Sequence, residues 1–320
     1  MSMRNAIETF WEQCSYRPEV IHKEKLPKDY EYTVICGMGG SHLAGTLLQS
    51  MDEKIFIHHD YDTPRLPSEI LEKSIFVLVS YSGNTEEVLH TFQALQSTSY
   101  PVAAITTGGE LLKLAQVNEV PHIVLPNTGI QPRAALGYQL RAITHLLKHP
   151  TYDILGTLTS QEALSFEAQG ANLAEQCLNK TPLICSSGEN RGLAYYWKIT
   201  LNETGKVPAF FNTFPECNHN ELSGFNTGTN FNTPGSYHAI YLVDDTDHAR
   251  IQKRMHISQQ VLEEKDVTSS TLKLTGSSKI EKLLTACHIA QWCALHIAEQ
   301  TQADPEAVPL IETFKRKLND

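Results

Sequence analysis

Short apolar runs alternate along the chain with stretches in which apolar residues recur at three-to-four spacing. In the first half the runs fall at 32–36, 54–58, 75–80, 102–106 and 122–125, with helical periodicity at 42–51, 85–96, 111–116 and 134–147. Continuous apolar runs separated by amphipathic segments predict a parallel, doubly wound sheet flanked by helices. A polar stretch at 149–159 interrupts the pattern. Alternation then restarts with runs at 182–186, 237–243 and 267–274, and helices at 190–204, 247–264, 279–300 and 305–318. The pattern predicts an α/β protein of two similar domains, 1–153 and 154–320.

Composition narrows the partners. The 320 residues are 41% hydrophobic and 19% charged, enough for two cores of ordinary size. A formal net charge of −10 argues against nucleic acid, which needs a clustered basic surface, so a small ligand is expected. No apolar run reaches membrane-spanning length and no basic-then-apolar leader stands at the start, which predicts a cytoplasmic protein without a membrane partner. The seven cysteines form no C-x-x-C pair and sit mostly in apolar patterns, as reduced core residues would. His58, His59, His288, His296 and the pair Cys217 and His219 lack metal-ligand spacing, so neither a metal nor another cofactor is expected.

Two loops carry the candidate chemistry. Gly37-Met38-Gly39-Gly40-Ser41 and Ser80-Tyr81-Ser82-Gly83-Asn84-Thr85 each stand where a buried strand hands over to a helix. Backbone N–H groups at a helix N-terminus, small neighbours and added hydroxyl donors make a phosphate site. The first loop also admits a dinucleotide reading, with Asp60 as the ribose partner, but His42 stands where the third glycine of that fingerprint belongs. For the second loop the simpler reading is a helix N-cap by Ser82 or Thr85. A cap needs one hydroxyl, and this loop has three.

Ser80-Tyr81-Ser82-Gly83-Asn84-Thr85-Glu86-Glu87 resembles the phosphate-loop signature of sugar isomerase (SIS) domains, and Gly37 to Ser41 is similar to their first loop. The runs Gln131 to Tyr138 (Q-P-R-A-A-L-G-Y), Leu201-Asn202-Glu203 and Pro215 to Glu221 (P-E-C-N-H-N-E) resemble the bifunctional phosphoglucose/phosphomannose isomerases over nearly the whole chain. The resemblance implies two SIS domains of flavodoxin-like type and an enzyme of carbohydrate metabolism that interconverts glucose 6-phosphate or mannose 6-phosphate with fructose 6-phosphate. It further implies a homodimer whose active sites use residues of both subunits.

The resemblance assigns phosphate binding to Ser41, Ser80, Ser82 and Thr85, with Gly39 and Gly40 beside the sugar. It makes Glu203 the proton-shuttling base, Arg133 the cation on the enediolate oxygens, His219 a ring-opening residue from the neighbouring subunit and Lys315 an assistant in ring opening. Two of these positions stand out on physical grounds as well. Gly205 reads as a helix C-cap, which puts Glu203 in a last turn where the dipole disfavours negative charge, and Arg133 opens a helix where a cation is unfavourable. Lys315 lies in a basic last turn that a solvated helix would also contain. The resemblance links acceptance of the mannose epimer to a threonine near the C-terminal lysine, and 304–308 contains no hydroxyl, so glucose 6-phosphate is the firmer expectation. An SIS isomerase or epimerase of another phosphosugar, or a non-catalytic phosphosugar-binding regulator, would keep the two loops.

Overall fold

The computed structural model describes residues 2–226 and 234–319. The chain divides into two compact units, Glu8–Glu162 and, from Ala163 onward, a second unit that also takes in Ser2–Ile7.

The first unit holds β1 (Tyr32–Cys36), β2 (Ile55–His58), β3 (Ser74–Val79), β4 (Val102–Thr106) and β5 (His122–Val124). They form one parallel sheet in the order β2-β1-β3-β4-β5. Every residue of the central β3 is buried, because helices cover both faces of the sheet, and its sequence accordingly reads Ser-Ile-Phe-Val-Leu-Val without alternation. On one face Val34, Phe76, Leu78 and Ala104 meet Val88, Phe92 and Leu95 of helix Glu86–Gln96 and Leu111 and Ala115 of helix Gly109–Val117. Burial stabilises each large side chain there by roughly 1.5–3 kcal/mol, so Leu78→Ala would cut deep into the unit. The β5 edge is covered by Ile21, which exchanges two backbone hydrogen bonds with His122.

The second unit holds β6 (Thr181–Ser187), β7 (Phe210–Phe214), β8 (Tyr237–Val243) and β9 (Thr268–Lys273), again parallel, in the order β7-β6-β8-β9. Helix Lys279–Gln300 is its spine, buried almost all round between helices Glu167–Cys177 and Arg191–Glu203. All seven cysteines are free and buried, in line with the sequence expectation. Among the described residues no helix is long and apolar enough to cross a membrane.

Three local features depart from the sequence expectations. The polar stretch expected to separate the halves contains helix Thr151–Thr157, which stays with the first unit: Thr151 and Leu155 are buried, and Arg141 both donates to the Tyr152 carbonyl (2.6 Å) and lies 3.6 Å above its ring. Arg133 does not open the long helix but sits in a separate 3-10 turn, Pro132–Ala134, ahead of helix Leu136–Leu146. Helix Arg191–Glu203 ends on Thr204, and the left-handed residue that follows is Lys206 (φ 57°) rather than Gly205.

Candidate functional site

In the first sheet the connection after β1 leads to one side and the connection after β3 to the other, which opens a crevice at the carboxyl ends of these two adjacent strands. Both glycine-and-hydroxyl loops stand at its mouth. They are tied together by Ser41, whose Oγ accepts the Tyr81 N–H at 3.0 Å. Ser80, wholly buried, accepts the Gly83 N–H at 3.1 Å and shares a 2.8 Å hydrogen bond with the Thr85 hydroxyl. If Ser80 spends its only proton on Thr85, the Thr85 proton remains for a ligand. Ser82 is exposed, its Oγ accepting the Asn84 N–H at 3.3 Å.

Thr85 occupies the N-cap of helix Glu86–Gln96, yet no side chain caps that helix. The N-cap reading of the hydroxyls therefore fails, and the first-turn N–H groups are left as donors at the crevice. Loop shape is set by main-chain contacts. Gly83 has φ +72°, and a Cβ there would stand 1.8 Å from the Gly108 carbonyl oxygen, while the Leu111 N–H donates to the Gly83 carbonyl at 2.9 Å. Asn84 completes the joint by accepting the Glu110 N–H at 3.0 Å.

Gly40 brings Arg133 to the same place. A Cβ on Gly40 would lie 2.6 Å from the Arg133 nitrogen, so only glycine lets the first loop rest on the Pro132–Ala134 turn. Arg133 is 4% exposed. His42, the residue that argued against a dinucleotide fingerprint, is buried and stacked on His59 at 5.6 Å; burial, aided by His59, pushes its imidazole down to about 4. The structure thus gathers Gly39, Gly40, Ser41, Ser80, Ser82, Thr85 and Arg133 around one crevice of the first unit.

Glu203, His219 and Lys315 belong to the second unit. Glu203 is the last residue of its helix and half-buried, with the Lys206 ammonium donating to its backbone carbonyl (2.6 Å) and to that of Ala307. Tyr195 senses the Glu203 carboxylate: burial first, and that charge second, raise its phenol. His219 ends the 3-10 turn Glu216–His219 and is exposed. Its neighbours brace the turn, Asn220 donating to Glu216 (3.0 Å), Arg254 to Asn218 (3.5 Å) and Asn212 to Glu221. Lys315 is exposed on helix Pro309–Asn319.

Residues 166–318 match the bacterial phospho-glucose isomerase C-terminal SIS domain. A bifunctional phosphoglucose/phosphomannose isomerase of Aquifex aeolicus is 30% identical, covering 98% of this chain and 97% of its own. The chain belongs to the bifunctional phosphoglucose/phosphomannose isomerase family. Another member, from Thermoplasma volcanium, is 32% identical over 90% of this chain and 92% of its own. Among solved structures, the C-terminal domain of glucosamine-fructose-6-phosphate aminotransferase from Francisella tularensis shares the fold at a TM-score of 0.66 and 15% identity, covering 96% of each chain. The two parallel sheets of this family member fit two SIS domains.

The second sheet repeats the crevice between β6 and β8 with different contents. Asp244, wholly buried at the end of β8, receives Lys279 and Lys282 at 2.8 Å each, together with the Thr246 N–H (3.1 Å) and hydroxyl (2.8 Å). Burial pushes this carboxyl up, but the lysine and threonine hydrogen bonds outweigh it and hold the group well below the usual carboxylate range. Beside it Asp247 accepts from Ser187 (2.7 Å) and Asn190 (3.3 Å), and Lys279 also donates to Asn190 (2.8 Å). No reading of the sequence singled out these residues. The signal available was Asp244-Asp245-Thr246-Asp247 directly after an apolar strand, where a phosphate loop would carry hydroxyls. Among the described residues no group of three or more His, Cys, Asp or Glu could hold a metal ion.

Proposed function

We propose that this chain is an aldose–ketose isomerase that interconverts glucose 6-phosphate, and mannose 6-phosphate, with fructose 6-phosphate. The observation that carries the reading is the first-unit crevice, where an uncapped helix N-terminus and the Ser82 and Thr85 hydroxyls belong to a loop that Ser41 ties to the Gly40 loop, which rests on the turn of a buried arginine. Ser41 and Ser80 serve the phosphate indirectly, by holding the two loops in register. The ligand this chemistry suits is a monophosphate on a small polar body, and family membership points to the hexose 6-phosphates.

In the proposed reaction the pyranose or furanose ring opens by proton transfer to its ring oxygen, with His219 and Lys315 as the proton-handling groups. Glu203 then removes the C2 proton of the aldose, leaving a cis-enediolate whose oxygen charge Arg133 offsets. Return of the proton to C1, with the hydroxyl proton passing from O2 to O1, gives the ketose, so no atom is gained or lost. Glucose and mannose phosphates differ only at C2 and yield the same enediolate, which makes acceptance of both a matter of room at that carbon. The proposed assembly is a homodimer in which His219 serves the neighbouring subunit's site, and the proposed setting is cytoplasmic sugar metabolism.

A coupled assay started from fructose 6-phosphate tests the reading. Glu203→Gln is expected to lose roughly 10²–10⁴-fold in kcat; wild-type turnover would remove Glu203 from the mechanism. Mixing Glu203→Gln with His219→Ala, both inactive alone, should regain activity if subunits share sites, and no recovery after subunit exchange would refute the shared site.

A further inference from the structure

The turn that carries Arg133 is gripped on both sides by buried glutamine amides. Gln13, from the 3-10 helix Phe10–Ser15, is 2% exposed; its Nε2 donates to the Ala134 carbonyl at 2.8 Å. Its Oε1 accepts the Gly137 N–H at 3.0 Å and the Tyr138 N–H at 3.4 Å. Helix Leu136–Leu146 has no side-chain cap of its own, so this distant amide takes that place. Gly137 makes room for it, since a Cβ there would lie 2.6 Å from the Gln13 Cβ. Gln139, 0% exposed, donates to the Pro132 carbonyl at 3.0 Å. The two carbonyls that flank Arg133 are thus each fixed by an amide donor, and Gly40 closes on the same turn from the side of the phosphate loops.

We infer that Gln13 and Gln139 are positioning residues for Arg133, fixing the main chain from which its guanidinium meets the charge that develops during isomerisation. The inference rests on the isomerase reading above. A neutral amide is the group the position requires, because one side chain must accept two N–H bonds and donate one. Glutamate keeps the acceptors but sets a carboxylate oxygen against the Ala134 carbonyl, and an aliphatic residue supplies neither. Misplacing an arginine by a fraction of an ångström weakens transition-state contacts that depend on geometry, while a phosphate held by the Ser82 and Thr85 loop is untouched.

The test compares Gln13→Glu, Gln13→Leu and Gln139→Met with Arg133→Met, measuring kcat, KM for fructose 6-phosphate, inhibition by inorganic phosphate, and the thermal midpoint. The expected result is a fall in kcat of about tenfold or more with the phosphate inhibition constant changed by less than about twofold. Wild-type kcat in folded Gln13→Glu and Gln139→Met overturns the inference, as does an equal change in kcat and phosphate inhibition, which a merely structural role would give. Should Gln13→Leu fail to fold, the other two variants decide. An Arg133→Met enzyme with wild-type kcat would remove the role of Arg133 itself, and the inference with it. An inactive Arg133→Met beside fully active glutamine variants defeats the inference alone.

Discussion

The two crevices of this chain occupy the same place in two similar sheets and hold opposite contents. Between β1 and β3 stand hydroxyls, an uncapped helix end and a glycine loop, all of them donors or space. Between β6 and β8 stands a buried carboxylate already held by two lysines and a threonine. A phosphate would meet donors in the first and a fixed negative charge in the second. Topology opens a crevice in each sheet, and side chains decide which one takes a ligand.

The comparison breaks most sharply at the loop hydroxyls. Ser82→Ala with Thr85→Val removes the two proposed donors to a phosphate dianion; at about 1.5 kcal/mol or more for each, phosphate inhibition should weaken by roughly two orders of magnitude. Stability should fall by about 1–3 kcal/mol, because Thr85→Val leaves the buried Ser80 hydroxyl without that partner; an unchanged inhibition constant would mean that the first crevice does not hold the phosphate. In the second crevice stability should change without any effect on phosphate. Asp244→Asn strands two partly buried lysines and is expected to lower the stability of that unit by about 3 kcal/mol while phosphate inhibition stays as in wild type.

Acid titration gives the smallest and most graded contrast. The imidazoles of His42 in the first unit and of His238 and His288 in the second are pushed by burial from 6.5 down to about 4. Each binds its proton more readily when unfolded, so its stabilising effect is full above pH 6.5 and lost as pH falls toward 4. At pH 5.5 the loss per histidine is on the order of 1 kcal/mol. Asp244 acts in a lower window: its depressed carboxyl stabilises fully above about pH 4 and ever less below it. Hydrogen exchange should therefore show both units loosening between pH 6.5 and 4, with further loss from Asp244 in the second unit alone, absent in Asp244→Asn.

Most strands were legible because a strand buried on both faces has to be apolar throughout, and 32–36, 102–106 and 237–243 end where the structure ends them. Strand β7 was not, since its Phe-Phe-Asn-Thr-Phe runs along a sheet edge where alternation is broken and Phe210 faces outward. Helix Glu167–Cys177 escaped for a related reason: with Gly170 and few apolar residues its periodicity is weak, and packing on the buried spine makes it a helix. That two glycine-and-hydroxyl loops follow buried strands could be read from residue types alone. Which hydroxyl holds the loops together and which stays open could not, because Ser41, Ser80, Ser82 and Thr85 differ only in the neighbours the fold gives them. Gln13 is the extreme case, joined to the Arg133 turn from 121 positions away.

The contact of Gly83 with Gly108 has a bearing on how such a site changes over generations. Because the loop's curvature comes from two main chains lying against each other, the exposed side chain at 82 can be exchanged without redrawing the cradle, whereas Asn84 and Thr85 are tied into it. Substitutions at the glycines have no such latitude. A lineage that alters its sugar preference is therefore expected to vary the residues around the cradle while leaving those glycines in place.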